Sequence, residues 1–98
     1  MQVGIIRFEL FIPTSHSLKE KRAAIKPIIE GAKRRFGVAV AEVAHQNTWQ
    51  RADLGVAAVA ASVGHVEDVL DEVERFVWSH PEVEVLCAQR SWLEEDRA

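Results

Sequence analysis

One cysteine in 98 residues, Cys87, has no second thiol to join, so an intramolecular disulfide is excluded. There is no CxxC and no paired-histidine spacing, and so no zinc framework of the usual ligand pattern. A membrane-spanning helix needs about 20 consecutive apolar residues; the opening MQVGIIRFELFIP is shorter and is broken by Arg7 and Glu9. The same stretch lacks the basic leader of a secretory signal. These absences predict a cytoplasmic protein in reducing surroundings, with no membrane contact, no metal and no cofactor.

What the chain does have is 48% hydrophobic residues, enough for one domain and too little for two, since domains below about 40 residues rarely hold a core alone. A single domain over residues 1–98 is expected. The net charge of −3 is unevenly spread: residues 1–63 sum to +4 and residues 64–98 to −7. Such a division bears on partners more than on fold, although any solvated helix face carries charge.

Ile6, Phe8, Leu10 and Ile12 alternate with Arg7, Glu9 and Phe11, the period of a strand with one buried face. Pro13 stops it. In SHSLKEKR, Ser17 is followed three residues later by Glu20, a capping-box pattern, so a helix is predicted from about Ser17 to Gly37. Its core stripe is Leu18, Ile25, Ile29, Ala32 and Phe36, with Ile28 at the edge. Pro27, inside it, removes a backbone hydrogen bond and predicts a kink or irregularity over residues 23–27. VAVAEVAH and LGVAAVAASV read as two strands joined by an irregular hairpin loop. A second helix starts at about Gly64 or His65, with Val66, Val69, Leu70, Val73, Phe76 and Val77 on its apolar face, and ends at His80 and Pro81. EVEVLCAQRSW is the fourth strand, and residues 92–98 are expected to be a frayed, charged tail.

Strand, helix, strand, strand, helix, strand with right-handed crossovers predicts an α+β, ferredoxin-like two-layer sandwich. Its four-stranded antiparallel sheet has the order 4-1-3-2 and carries both helices on one face. Simple alternation puts Ile6, Phe8, Leu10, Val83, Val85 and Cys87 under the helices. It leaves Phe11, Val38, Val40, Leu86 and Trp92 on the open face, among Arg7, Glu9, Glu42 and Arg90. An apolar patch of that kind points to a partner, self-association into a homodimer or larger assembly included.

HSLKEKR after the first strand, FGVAVAEVAHQNTWQRADLGVAAV across the hairpin and the helix HVEDVLDEVERFV together resemble the YlxP-like family, small bacterial proteins classed as a domain of unknown function. The likeness covers nearly the whole chain. It is most specific in residues 17–22 and in AEVAHQNTWQRADLGVA, with a departure at Ala44, where the family usually carries an acidic residue. The resemblance implies the ferredoxin-like fold and no particular activity. Members of that family tend to be encoded beside transcription, translation-initiation and ribosome-maturation factors.

Lys19, Arg22, Lys26 and Lys33 fall within one narrow stripe of the first helix at about 100° per residue. Aligned cations can displace counterions from a nucleic acid backbone, which suggests RNA or the ribosome as partner. A solvated face whose alkyl stems shield the core has the same composition. In the hairpin, His45, Gln46, Asn47, Trp49, Gln50 and Arg51 combine hydrogen-bonding groups with one aromatic plate, suited to stacking a base or filling a partner's pocket. The alternative is that the polar groups hold the loop in shape while Trp49 folds over a sheet edge or into a homodimer interface.

Chemistry finds less support. An RNA-recognition motif shares the topology but displays aromatics on its central strands, and LGVAAVAAS has none. Acylphosphatases also share it, yet IPTSHSLKEK has no glycine where their phosphate loop lies. Glu42, His45 and Asp53 could form a general acid/base site, but Glu42 and His45 are three apart on a strand and point to opposite faces. Cys87 reads as an inert buried thiol. No catalytic residue and no metal ligand is assigned, and the expectation is a non-catalytic interaction module.

Overall fold

Ile6, Phe8 and Leu10 have no exposed surface, while Arg7 between them is exposed. That alternation runs through the first strand of the computed structural model, which describes residues 1–94. The elements are β1 (Gln2–Phe11), α1 (Leu18–Phe36), β2 (Ala39–Ala44), β3 (Arg51–Ala60), α2 (Val63–Trp78) and β4 (Glu84–Glu94). The sheet has the order β2-β3-β1-β4, antiparallel throughout. This is the ferredoxin-like arrangement that the sequence predicts, with α2 over β1 and β3 and α1 along β2 and against α2.

Ser17 caps α1 by accepting the Glu20 N–H at 3.0 Å, and Glu20 reaches back to the His16 N–H. This reciprocal pairing satisfies donors that a helix start leaves free. Gly37, at φ 64°, closes the helix by donating its N–H to the Lys33 carbonyl. The helix continues unbroken through Pro27. Pro27 and Ala23, whose carbonyl loses its partner, are both exposed, so water can satisfy the freed oxygen. The second helix begins at Val63, slightly earlier than its apolar pattern, because Ser62 provides the cap by accepting from His65 N–H at 3.2 Å.

The core is one cluster in which β1 meets Ile25, Ile28 and Ala32 of α1 and Val66, Leu70, Val73 and Val77 of α2. The helices close directly on each other at Gly31, where a Cβ would stand 2.5 Å from Phe76 Cζ. Full burial of a side chain the size of Phe8 or Leu70 contributes about 1.5–3 kcal/mol.

The faces of the outer strands correct the simple alternation. Val38 and Val40, expected on the open face, are 6% and 8% exposed and belong to the core. Arg90 and Trp92 also lie on the helix side, opposite Ile6 and Gly4, and Trp92 packs over Gly4 beside Val66 and Leu70. Cys87, expected under the helices, pairs with Glu9 on the open face. The cause is a β-bulge: Glu9 pairs with Cys87 but Leu10 with Val85, so Leu86 is an extra residue that inverts the parity of everything after it. A second bulge, at Val43, lies between Glu42, paired with Leu54, and Ala44, paired with Asp53. β4 stays paired through Trp92, Leu93 and Glu94, residues assigned to the frayed tail; the remainder of that tail lies outside the described residues.

Candidate binding surface

Lys21 sits one turn before Ile25 and two turns before Ile28, on the buried stripe of α1, and has no exposed surface. A buried ammonium must be paired and fully hydrogen-bonded to be tolerated. Its Nζ donates to Glu42 Oε2 at 2.8 Å and to the carbonyls of His45 at 2.8 Å, Gln46 at 3.2 Å and Arg51 at 3.3 Å. The β2–β3 loop is thus wrapped around a charge presented by α1. The Val43 bulge has a matching role, since it ends regular pairing where Glu42 turns towards Lys21 and the chain enters the loop.

The rest of the loop is held the same way. His45 adopts a left-handed conformation at φ 64°, uncommon outside glycine, and its carbonyl also accepts the Thr48 N–H at 3.0 Å. Gln50 Nε2 donates to the carbonyls of Pro13 at 3.0 Å and Ser15 at 3.2 Å, and the Gln50 carbonyl accepts the Ile12 N–H at 2.8 Å. The loop is therefore tied to the segment leading into α1. Trp49 is 55% exposed, and among the described residues its ring has no aromatic or cationic partner.

Lys19, Arg22 and Lys26 are exposed on α1, and among the described residues no carboxylate lies within ion-pair distance of any of them. Arg22 and Lys26 rim a cleft of about 300 Å³ floored by Ile25 and Ile29, with Glu42 at its β2 wall. Lys33, two turns beyond Lys26, is 4.0 Å from Glu30. Lys21 thus fastens the loop to the helix that carries these cations. His45, Gln46 and Gln50 contribute to this fastening through backbone and loop-shaping bonds, and Arg51 through its carbonyl to Lys21.

A second cluster lies on the open face. Arg7 donates to Asp53 Oδ2 from Nε at 3.1 Å and from the terminal nitrogen at 2.7 Å. Asp53 is 1% exposed, and its other oxygen, 3.7 Å from His45 Nε2, has no hydrogen bond. The Asp53 hydrogen bond first, then its charge, raises the Arg7 pKa above the ordinary guanidinium value. Glu42 lies on the other face with Lys21, so Glu42, His45 and Asp53 do not converge. Among the described residues no three His, Cys, Asp or Glu side chains come together as metal ligands. Next to the Arg7 and Asp53 pair on this face, Ile5, Ala39, Ala41, Val43, Gly55 and Ala57 line a shallow apolar depression of about 270 Å³.

The far flank is acidic. Arg90 of β4 is held by Asp71 at 2.8 Å and Glu74 at 3.2 Å, and these with Arg75, Trp78 and Ser79 line a cleft of about 510 Å³. Burial opposes the Arg90 charge, but the hydrogen bonds it donates to Asp71 and Glu74, with their charges, outweigh it and the pKa is raised.

The roles of Lys21 and Asp53 and the Arg90 clamp escape a reading of the sequence. Lys21 left a signal there as a cation placed in the middle of an apolar helical stripe, and Asp53 was singled out beside His45 but not as the buried partner of Arg7.

A ferredoxin-like domain with a lysine-anchored hairpin loop beside an unneutralised basic helix flank is the class of structure these residues build. The family model described as "Protein of unknown function (DUF503)" matches residues 3–90, and the chain belongs to that family. It is 38% identical over 90 residues to "Uncharacterized protein YlxP" of Bacillus subtilis (strain 168), covering 92% of this chain and 98% of that protein. A de novo designed ferredoxin-fold protein solved by solution NMR superposes with a TM-score of 0.49 at 10% identity, over 97% of this chain and 87% of that one. The fold assignment rests on strand order and helix placement, not on that superposition. No helix among the described residues is long and apolar enough to cross a membrane.

Proposed function

We propose that the protein is a non-catalytic, cytoplasmic binding module that docks on RNA, free or within a ribonucleoprotein such as the ribosome. Lys19, Arg22, Lys26 and Lys33 meet backbone phosphates, and the exposed ring of Trp49 offers a stacking plate at the adjoining loop, with Arg51 beside it. The observation that carries this reading is that Lys19, Arg22 and Lys26 have no carboxylate partner among the described residues, in a chain whose net charge is −3. Arg7, Arg75 and Arg90 are paired with carboxylates, whereas Arg34 and Arg35 at the end of α1 and Arg51 after the loop, like those three, have no carboxylate partner among the described residues. Cations left free in an acidic protein favour an anionic partner.

The test is co-sedimentation with RNA and with ribosomes at low and moderate salt, beside a folded Lys19→Glu/Arg22→Glu/Lys26→Glu variant. Binding that weakens with salt and is lost in the variant supports the reading; no binding at low salt sinks it. A second reading is self-association without nucleic acid. The apolar depression on the open face, with Val43 49%, Val59 65% and Leu93 60% exposed around it, favours that reading. Burial of that surface would give an assembly nearly indifferent to salt.

A further inference from the structure

The two edges of the sheet match each other. β2 is antiparallel to β3, β3 to β1 and β1 to β4, so the edge strands β2 and β4 run in opposite directions. A second copy set beside the first in the same orientation therefore presents its β2 antiparallel to the first copy's β4, with all helices on one face.

Heights along the sheet agree as well. One row across the four strands reads Glu42, Leu54, Phe8, Ala88, and another reads Val40, Val56, Ile6, Arg90. Both bulges, at Val43 and Leu86, lie to the same side of these rows. The regular edge segments, residues 39–42 and 88–91, thus come level, whereas the bulged portions resist pairing.

Charge is complementary across the same junction. Past β2, α1 presents Lys19, Arg22 and Lys26, with Arg22 and Lys26 in the cleft shared with Glu30 and Glu42, so the flank is basic on balance. Past β4, Glu67, Asp71, Glu74 and Trp78 fall within roughly 60° of one another on α2. The Asp71 and Glu74 bonds to Arg90 fix that stripe on the β4 side. α1 begins and α2 ends at the same end of the sheet, so Trp78, 60% exposed, comes to the height of Lys19 and Arg22, where a cation can lie over its ring.

We propose that copies of this chain associate head to tail, the β4 edge and acidic α2 flank of one against the β2 edge and basic α1 flank of the next. The contact is heterologous, so it leaves one flank open at each end and propagates into rings or chains. It does not rest on the RNA reading. It draws on the same α1 cations, so a second copy and a nucleic acid contest one flank.

Two variants of the full chain test it by sedimentation velocity over a concentration series. Glu67→Lys/Asp71→Lys disables the acidic flank, and Lys19→Glu/Arg22→Glu/Lys26→Glu the basic one. Circular dichroism and thermal melts establish that each is folded, and the milder Glu67→Gln/Asp71→Asn and Lys19→Gln/Lys26→Gln replace any that is not. The wild type is expected to grow beyond a dimer with concentration at low salt and to return to monomer at high salt. Each variant alone is expected to stay monomeric, while in an equimolar mixture the two reversed flanks are again of opposite sign and growth beyond a dimer returns; an equimolar mixture of the neutral Glu67→Gln/Asp71→Asn and Lys19→Gln/Lys26→Gln variants stops at a one-to-one complex. A wild type that is monomeric throughout overturns the proposal, as does assembly that survives high salt or both charge variants. The Glu67→Lys/Asp71→Lys variant keeps every α1 cation, so RNA binding by it is scored separately.

Discussion

Lys21 Nζ and Glu42 Oε2 meet at 2.8 Å across the junction of α1 and β2, the lysine without exposed surface and the glutamate 19% exposed. The pair decides the shape of the whole loop. Three backbone carbonyls complete the shell of the ammonium, and a hairpin of conventional two-residue length could not bring all three to one point. The polar composition of residues 45–51 follows: Gln50 ties the loop to residues 13 and 15, and His45 accepts a left-handed backbone so that its carbonyl can turn inward.

Replacing Lys21 with Met keeps the helix and the approximate volume but strands the Glu42 carboxylate and the three carbonyls. Breaking one partner of a buried ion pair costs about 3–5 kcal/mol. Because Glu42 retains some solvent access, the lower end is expected, about 3 kcal/mol, which for a domain this size lowers Tm by about 12 °C or more. Chemical denaturation and thermal melts measure it. A loss below about 1 kcal/mol would show that the loop holds its shape without the ammonium. In a double-mutant cycle with Glu42→Gln, the two changes should be less than additive, since they remove one interaction.

Gly31→Ala tests the closest helix–helix approach. The new Cβ would stand 2.5 Å from Phe76 Cζ, so the ring must move, and Phe76 also packs edge-on against Phe36 and His80. Overpacking costs about 1–3 kcal/mol, against which alanine returns about 1 kcal/mol of helix propensity. A net loss of up to about 2 kcal/mol is expected from the same two principles, read from urea midpoints. Net stabilisation would mean that the ring relocates freely.

Much of this fold was readable before any coordinates, and the unread part has two physical causes. Element order, both helices and the strand order follow from hydrophobic period and crossover handedness, which act over many residues at once. Which face an edge-strand residue occupies depends on parity, and a single extra residue reverses it: Leu86 moved Cys87 out of the core side and Arg90 and Trp92 into it. Lys21 was hidden for a different reason. A hydropathy pattern treats a lysine as a gap in the stripe, whereas here it fills the stripe and brings its own shell of acceptors from a loop far along the chain.

The Arg7 and Arg90 ion pairs should give stability that does not vary over the usual alkaline range. Both guanidinium pKa values are raised in the folded state. The sign of the linkage then places their contribution fully below the unfolded guanidinium pKa and removes it only as pH rises through the still higher folded value. Arg90→Gln should therefore destabilise the protein by the same amount at about pH 7 and about pH 10, since arginine stays charged at both. Denaturation midpoints at the two pH values check this, and a penalty that shrinks at the higher pH would refute it.

Trp49 and the α1 cations should separate cleanly in binding experiments if RNA is the partner. Trp49 is 55% exposed with no ring partner among the described residues, so Trp49→Ala should leave the unfolding midpoint nearly unchanged. If the ring stacks a base, its loss weakens binding by about 1–3 kcal/mol without altering the salt dependence, because stacking releases no counterions. The cations behave in the opposite manner. Each phosphate contact on a single strand contributes about −0.7 to the slope of log K against log salt, so contacts from Lys19, Arg22, Lys26 and Lys33 together give about −2.8. Lys26→Gln should reduce that slope by about 0.7 while leaving any base preference intact. Fluorescence anisotropy of a labelled single-stranded RNA over a salt series measures both quantities. A slope unchanged by Lys26→Gln, or a Trp49→Ala effect that appears wholly in the slope, would assign the contact to a different surface.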